Sequence, residues 1–262
     1  MTLVLHFDIN GTITPVDTVE PGSKIENANM VISKSVFGTI IDNKWVLNTN
    51  IYDEIDSITY YDHLKQINKN NYKKISFTFT NKGEPGEILN YLVQQLVDSM
   101  DKFLFDSFLN VLSEFPHAQI IFRTFGLDAD EVIEYLRTNE TTTNKFKTIP
   151  KGLFTNVDNE YVLTLENNES FIGMSNINKL FKITKQHFAL KENYNYWNDN
   201  DRSKLFGKQL LGDGDMIQIF FDDNDCVNVI DDTNVHNIRI NTLHAMVDNK
   251  YYIDKIYDIL NK

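Results

Sequence analysis

The chain has one cysteine, Cys226, so it has no intrachain disulfide and no cysteine-based zinc cage. A fold with no oxidised staple fits a reducing, cytoplasmic compartment. Glycine and proline are scarce, 11 and 5 in 262 residues, which excludes collagen-like and linker-like architectures. Positive charge is short too: 25 Lys and Arg stand against 37 Asp and Glu, for a formal net charge of −12. Nucleic acids and anionic membranes are therefore disfavoured partners, because their phosphates would be repelled. A small phosphorylated ligand is not disfavoured, since a local metal ion inverts the field at a site. No apolar run approaches the roughly 20 residues of a membrane span. Met1–Asp8 has no basic lead-in and meets charge too soon for a signal peptide.

Apolar residues make up 42% of the chain, with 18 Phe and 12 Tyr, enough to bury a core. The length suits one large domain, or a core with one substantial insertion. Hydrophobic periodicity predicts alternating strands and helices. Strands are expected at Leu3–Phe7, Trp45–Leu47, Lys74–Thr80, Gln119–Phe122, Tyr161–Leu165, Met216–Phe221, Val227–Ile230 and Ile238–Ile240. Helices are expected at Lys24–Phe37, Tyr60–Ile67, Gly86–Met100 and Phe103–Phe115, the last ended by Pro116. Further helices are expected at Asp128–Leu136, with Asp128 as its cap, at Asn176–Leu190 and at Tyr251–Leu260. Residues 139–148 and Asn193–Asp201 read as loops.

Three of these strands, Leu3–Phe7, Gln119–Phe122 and Met216–Phe221, are apolar on both faces. Such strands belong in a central parallel sheet covered by helices. Two run into carboxylates, Asp8 and Asp222, and the third into a hydroxyl, Thr124. Ligands of open α/β sheets bind beyond the carboxyl ends of the strands, so these three loops are the candidate site.

The segment Phe7-Asp8-Ile9-Asn10-Gly11-Thr12 resembles the first motif of the haloacid dehalogenase superfamily, an apolar strand followed by Asp-x-Asp-x-Thr. Phe220-Phe221-Asp222-Asp223-Asn224 resembles that family's fourth motif, and Ile121-Phe122-Arg123-Thr124 its second. The lone lysine of the third motif is placed at Lys208, in Gly207-Lys208-Gln209-Leu210-Leu211, with Lys204 as the alternative. The resemblance implies a three-layer, Rossmann-like α/β core with an inserted, mainly helical cap. The core would comprise residues 1–14 and 101–262, with a possible second insert at 139–200, and the cap residues 15–100. It also implies Asp8 as nucleophile and Mg²⁺ held by Asp8, the backbone carbonyl of Asn10, and Asp222. Thr124 and Lys208 would contact a small phosphorylated substrate.

The residue chemistry is compatible with those roles. A carboxylate attacking phosphorus needs its own charge offset, which a divalent ion and a lysine both do. Mg²⁺ takes one or two carboxylates plus water and phosphate oxygens, so Asp8 and Asp222 suffice, with Asp223 or Asp225 in support. Arg123 reads equally as a ligand for phosphate or as an ion-pair partner. Cys226 reads as an inert, partly buried thiol.

One departure bears on activity. Asn10 stands where the family's phosphatases have the Asp that protonates the leaving group and then activates water. An amide has no proton to exchange, and general acid–base catalysis is worth about 10²–10⁴-fold. Aryl and acyl phosphates and anhydrides would tolerate the loss best. The expectation is a weak Mg²⁺-dependent hydrolase or phosphotransferase. The alternative is a catalytically inactive protein that binds a phosphorylated metabolite or a protein partner.

Overall fold

The computed structural model describes residues 1–15, 22–139, 142, 145–158 and 160–261. The expected loop at 139–148 lies partly outside these residues. The chain divides into two compact units: Met1–Thr14, Phe108–Ile240 and Tyr252–Lys262 form one, and Pro15–Ser107 with Asn241–Tyr251 the other.

Numbered along the whole chain, the first unit contains β1 (Thr2–Phe7), β5 (Gln119–Thr124), α6 (Ala129–Thr138), β6 (Lys151–Val157), β7 (Glu160–Leu165) and β8 (Ser170–Ile172). It continues with α7 (Met174–Thr184), β9 (Phe188–Lys191), α8 (Tyr194–Asp199), β10 (Lys208–Leu211), β11 (Met216–Asp222), β12 (Val227–Asp231) and β13 (Val235–Arg239). The second unit contains α1 (Lys24–Ser35), β2 (Phe37–Ile41), β3 (Lys44–Leu47), β4 (Ile58–Thr59), α2 (Tyr60–Ile67), α3 (Tyr72–Ser76), α4 (Tyr91–Met100) and α9 (Thr242–Val247). Helices α5 (Asp106–Glu114) and α10 (Tyr251–Leu260) have residues in both.

The first unit is built on an eight-stranded sheet in the order β13-β11-β1-β5-β9-β6-β7-β8. Pairing is parallel from β13 through β6 and antiparallel only at β6/β7 and β7/β8. The α/β class with a mainly parallel central sheet agrees with the sequence reading. The apolar strands expected at the centre are there: every residue of β5 is buried, as are Val4, Leu5, Phe7, Phe220 and Phe221. Strands covered on both faces have no polar side to show, hence their continuous apolar runs. In the register, Phe7 lies opposite both Phe221 and Phe122. The residues that follow these three therefore reach the same edge of the sheet together.

Connectivity makes that edge special. From β1 the chain goes to β5 on one side, and it reaches β11, on the other side of β1, only after β9. The β1/β11 boundary is thus the topological switch point, the place where open α/β sheets bind their ligands. A second, two-stranded parallel sheet pairs β10 with β12, Lys208 opposite Val227.

The second unit holds a three-stranded antiparallel sheet, β3-β2-β4, beside its helices. Its core includes Trp45, Tyr60 and Phe79, whose rings meet edge-on or stacked. A buried amide, Asn29, ties α1 to a distant turn by accepting from the Thr80 N–H and hydroxyl at 2.7 and 2.8 Å. Helix α1 starts from a full capping box between Ser23 and Glu26.

Some elements differ from expectation. Asn176–Leu190 is not one helix: α7 stops where Lys185 turns left-handed (φ 51°), and β9 follows. The expected strand at Lys74–Thr80 is a helical turn, α3, followed by tight turns that bury Phe79. Asn193–Asp201 contains α8, capped by the Asn193 side chain accepting from the Tyr196 N–H at 3.1 Å. Gly86–Met100 begins as a 3₁₀ turn at Glu87–Leu89 and becomes α-helical only from Tyr91. Residues 151–191 supply β6 to β9 of the central sheet. Among the described residues, no helix is long and apolar enough to cross a membrane.

Candidate functional site

Strand ends at the switch point position the acidic residues. Asp8 follows β1, and its N–H donates to Phe221 O at 2.9 Å, locking the start of its loop to β11. Asp222 closes β11 and Asp223 follows it. One carboxylate oxygen from each of Asp8, Asp222 and Asp223 lies within 4.8 Å of the others. Asp8 and Asp222 are buried and Asp223 is half-buried. The chain can turn sharply after Asp8 because Gly11 takes φ +72°. A Cβ built at Gly11 would lie 2.8 Å from the Asp223 carboxylate, so this position also lets the two loops approach.

Lys208, the first residue of β10, is 1% exposed. Its ammonium donates to Asp8 Oδ1 at 2.6 Å and to Asp222 Oδ2 at 2.7 Å. The rings of Phe125 and Phe220 lie 5.1 and 5.5 Å from Nζ. Burial pushes the Asp8 carboxyl up to about 7, with Lys208 pulling it down and Asp222 pushing it further up. Burial also pulls Lys208 down, but its two carboxylates outweigh that and hold its ammonium above the ordinary lysine value. One cation thus sits between two buried anions, which is how such charges persist away from water.

The remaining hydrogen bonds to Asp222 are local. Asn224 N–H donates to Oδ1 at 2.8 Å, and the Cys226 thiol donates to Oδ2 at 3.3 Å. Burial pushes that thiol far above its usual value, so Cys226 is a protonated donor. Thr124 is buried, and its hydroxyl oxygen accepts from Gly126 N–H at 3.0 Å, which leaves its own proton to donate.

The structure brings Asp8, Asp222, Asp223 and Lys208 together and excludes two alternatives. Lys204 is half-exposed and pairs with Asp225 at 2.9 Å, so neither belongs to the cluster. Arg123 does not face a ligand. It is fully buried, donating to Glu192 at 2.5 Å, to Gln209 O at 2.8 Å and to Tyr161 OH at 2.8 Å, between the rings of Phe154 and Phe220. Asn10 uses its side chain elsewhere. Its Nδ2 donates to Asp128 Oδ2 at 2.7 Å, and its Oδ1 accepts from Thr14 Oγ1 at 3.3 Å.

Sequence reasoning missed two neighbours of the site. Asp128 looked like an ordinary helix cap, and the only signal pointing elsewhere is its place in the loop after Thr124. Phe125 belonged to no motif, yet its ring covers Lys208 and stacks on Trp197 at 4.8 Å. Compared with known protein families, with curated proteins and with solved structures, the chain matches none of them.

Proposed function

We propose that this protein transfers phosphoryl groups through Asp8, as the resemblance of its strand-end motifs to the haloacid dehalogenase superfamily implies. The observation that carries the reading is the Asp8, Asp222 and Asp223 cluster at the β1/β11 switch point with Lys208 buried against it. Three carboxylate oxygens are a hard donor set that suits Mg²⁺ and not a soft metal. Asp8, Asp222 and Asp223 would hold the ion, and the main-chain carbonyl of Asn10 is the family's further ligand. Such an ion supplies charge neutralisation at the phosphoryl oxygens.

The chain's own groups account for the rest. The Asp8 carboxylate attacks phosphorus: one Oδ–P bond forms, the bond to the leaving oxygen breaks, and the electron pair departs with it. Water then attacks the same phosphorus: its O–P bond forms, the Oδ–P bond breaks with the electron pair returning to the Asp8 carboxylate, and the water's protons leave on the released phosphate. Lys208 pulls Asp8 toward its ionised form and offsets charge on the transferring group. Thr124 can donate its hydroxyl proton to a phosphoryl oxygen. Asn10 has no proton to give, so both steps are slow for substrates with poor leaving groups.

The test is Mg²⁺-dependent turnover of 4-nitrophenyl phosphate and acetyl phosphate by wild type and Asp8→Asn. The expected result is slow turnover by wild type and a loss of at least ~10³-fold in the variant. Equal turnover by the two proteins removes Asp8 from the mechanism. A second reading, an inactive protein that binds a phosphorylated metabolite or a partner, is supported by the engagement of Asn10 away from the acids. Silence toward all phosphates, together with stabilisation by Mg²⁺ plus inorganic phosphate, selects it.

A further inference from the structure

Asp128 has no part in that mechanism, and its geometry is unusual. It occupies the N-cap position of α6, yet its side chain makes no capping hydrogen bond. The bond that makes Asp a favoured cap is given up. Its Oδ2 instead accepts from Asn10 Nδ2 at 2.7 Å. At the other end of the same amide, Asn10 Oδ1 accepts from Thr14 Oγ1 at 3.3 Å. The amide thus meets a firm demand for a donor toward Asp128, while the Thr14 hydroxyl also reaches Ile9 O at 3.2 Å and can do without it.

An amide supplies that donor and an ionised carboxylate does not. A carboxylate at position 10 would still accept from Thr14. Toward Asp128 it would set two carboxylates at the present 2.7 Å, where both cannot stay ionised; the pair moves apart or shares one proton, which Asp128 then holds back from a leaving group. Asp128 has little room to retreat on one side, where its carboxylate packs on the bare Cα of Gly126. A Cβ built there would lie 2.3 Å from Asp128 Oδ2, 3.4 Å from Thr124 Oγ1 and 3.5 Å from Asn10 Nδ2.

We propose that Asp128 is a positioning residue that makes asparagine the matched residue at position 10, and so restricts the site to phosphates whose leaving group departs without a proton. The ligand class is aryl phosphates, acyl phosphates and phosphoanhydrides. The substrate class rests on the phosphoryl-transfer reading; the pairing of Asn10 with Asp128 does not.

The test is a four-protein cycle: wild type, Asn10→Asp, Asp128→Asn and the double variant. Thermal melting at neutral pH without metal reads the pairing alone. Asn10→Asp lowers Tm by about 2–6 °C, and adding Asp128→Asn recovers most of that loss. Mg²⁺-dependent turnover of glycerol phosphate against 4-nitrophenyl phosphate reads the substrate class. Asn10→Asp alone gains less than ~3-fold on the alkyl ester, whereas the double variant gains ~10²–10⁴-fold. An Asn10→Asp protein as stable as wild type overturns the pairing. So does a gain in Asn10→Asp alone equal to that of the double variant. Coupled melting temperatures with no turnover in any of the four proteins remove the phosphoryl-transfer reading and the substrate class, while the pairing stands.

Discussion

Lys208 donates to two buried carboxylates, Asp8 and Asp222, that repel each other. Replacing it with methionine keeps the length of the side chain and removes the charge, leaving Asp8 and Asp222 unpaired in the core. Breaking a buried pair in this way typically costs ~3–5 kcal/mol. Urea unfolding of Lys208→Met should show that loss at neutral pH. Its turnover of 4-nitrophenyl phosphate should fall by about 10²–10³-fold, the usual cost of removing one preorganised charge contact. At this scale the sequence marked Asp8, Asp222 and Lys208, three residues that the fold brings together, because each borders an apolar strand or sits in a distinctive run. It was a poor guide to Arg123. Nothing local distinguishes an arginine that meets a ligand from one that meets Glu192, 69 positions away.

Elements carry these residues, and ties between elements decide how firmly. The Arg123 guanidinium links β5 to Tyr161 on β7, to Gln209 beside Lys208, and to Glu192, whose own N–H donates to Thr124 O at 2.7 Å. Arg123→Met takes the ion-pair partner from the buried Glu192 carboxylate, leaving it the Tyr161 hydroxyl, and should cost ~3–5 kcal/mol in chemical unfolding. Tyr161→Phe removes only hydrogen bonds to charged partners and should cost ~1.5–3 kcal/mol.

A second tie depends on pH. His187 Nδ1 accepts from Ile120 N–H at 3.0 Å, and its ring stacks on Phe146. Burial, aided by Lys145, lowers its pKa from 6.5 to about 4. Between those values the unfolded chain binds a proton that the folded chain does not. Stability therefore rises with pH across this window and is lost as pH falls toward 4. Denaturant midpoints from pH 4 to 7 should show His187→Gln with a slope shallower than wild type by up to ~1.4 kcal/mol per pH unit. Element types were legible where one period ran unbroken, as at Tyr60–Ile67 and Tyr251–Leu260, which match the observed helices end to end. They were not legible at Asn176–Leu190, where a helical stripe runs into the buried strand β9 and no Gly or Pro marks the join.

At the scale of the molecule, the −12 charge and the acidic site work against each other unless a cation is bound. Titration with Mg²⁺ should raise stability by about 2.7 kcal/mol at a hundredfold excess over Kd, followed as a rise in Tm. Asp222→Asn should lose most of that rise.

The residues themselves determined the α/β class, the central position of three strands and the carboxylates that end two of them, because a strand buried on both faces is apolar over most of its length. Only the tertiary structure decided what those ends meet. Parallel register levelled Phe7 with Phe122 and Phe221, strand order put the switch point between Asp8 and Asp222, and β10 delivered Lys208 to both. It also turned Asp128 from a helix cap into the partner of Asn10, across 118 positions of chain. The Asn10–Asp128 contact leaves no periodicity or local motif in the chain, so it can be read only once the chain has folded.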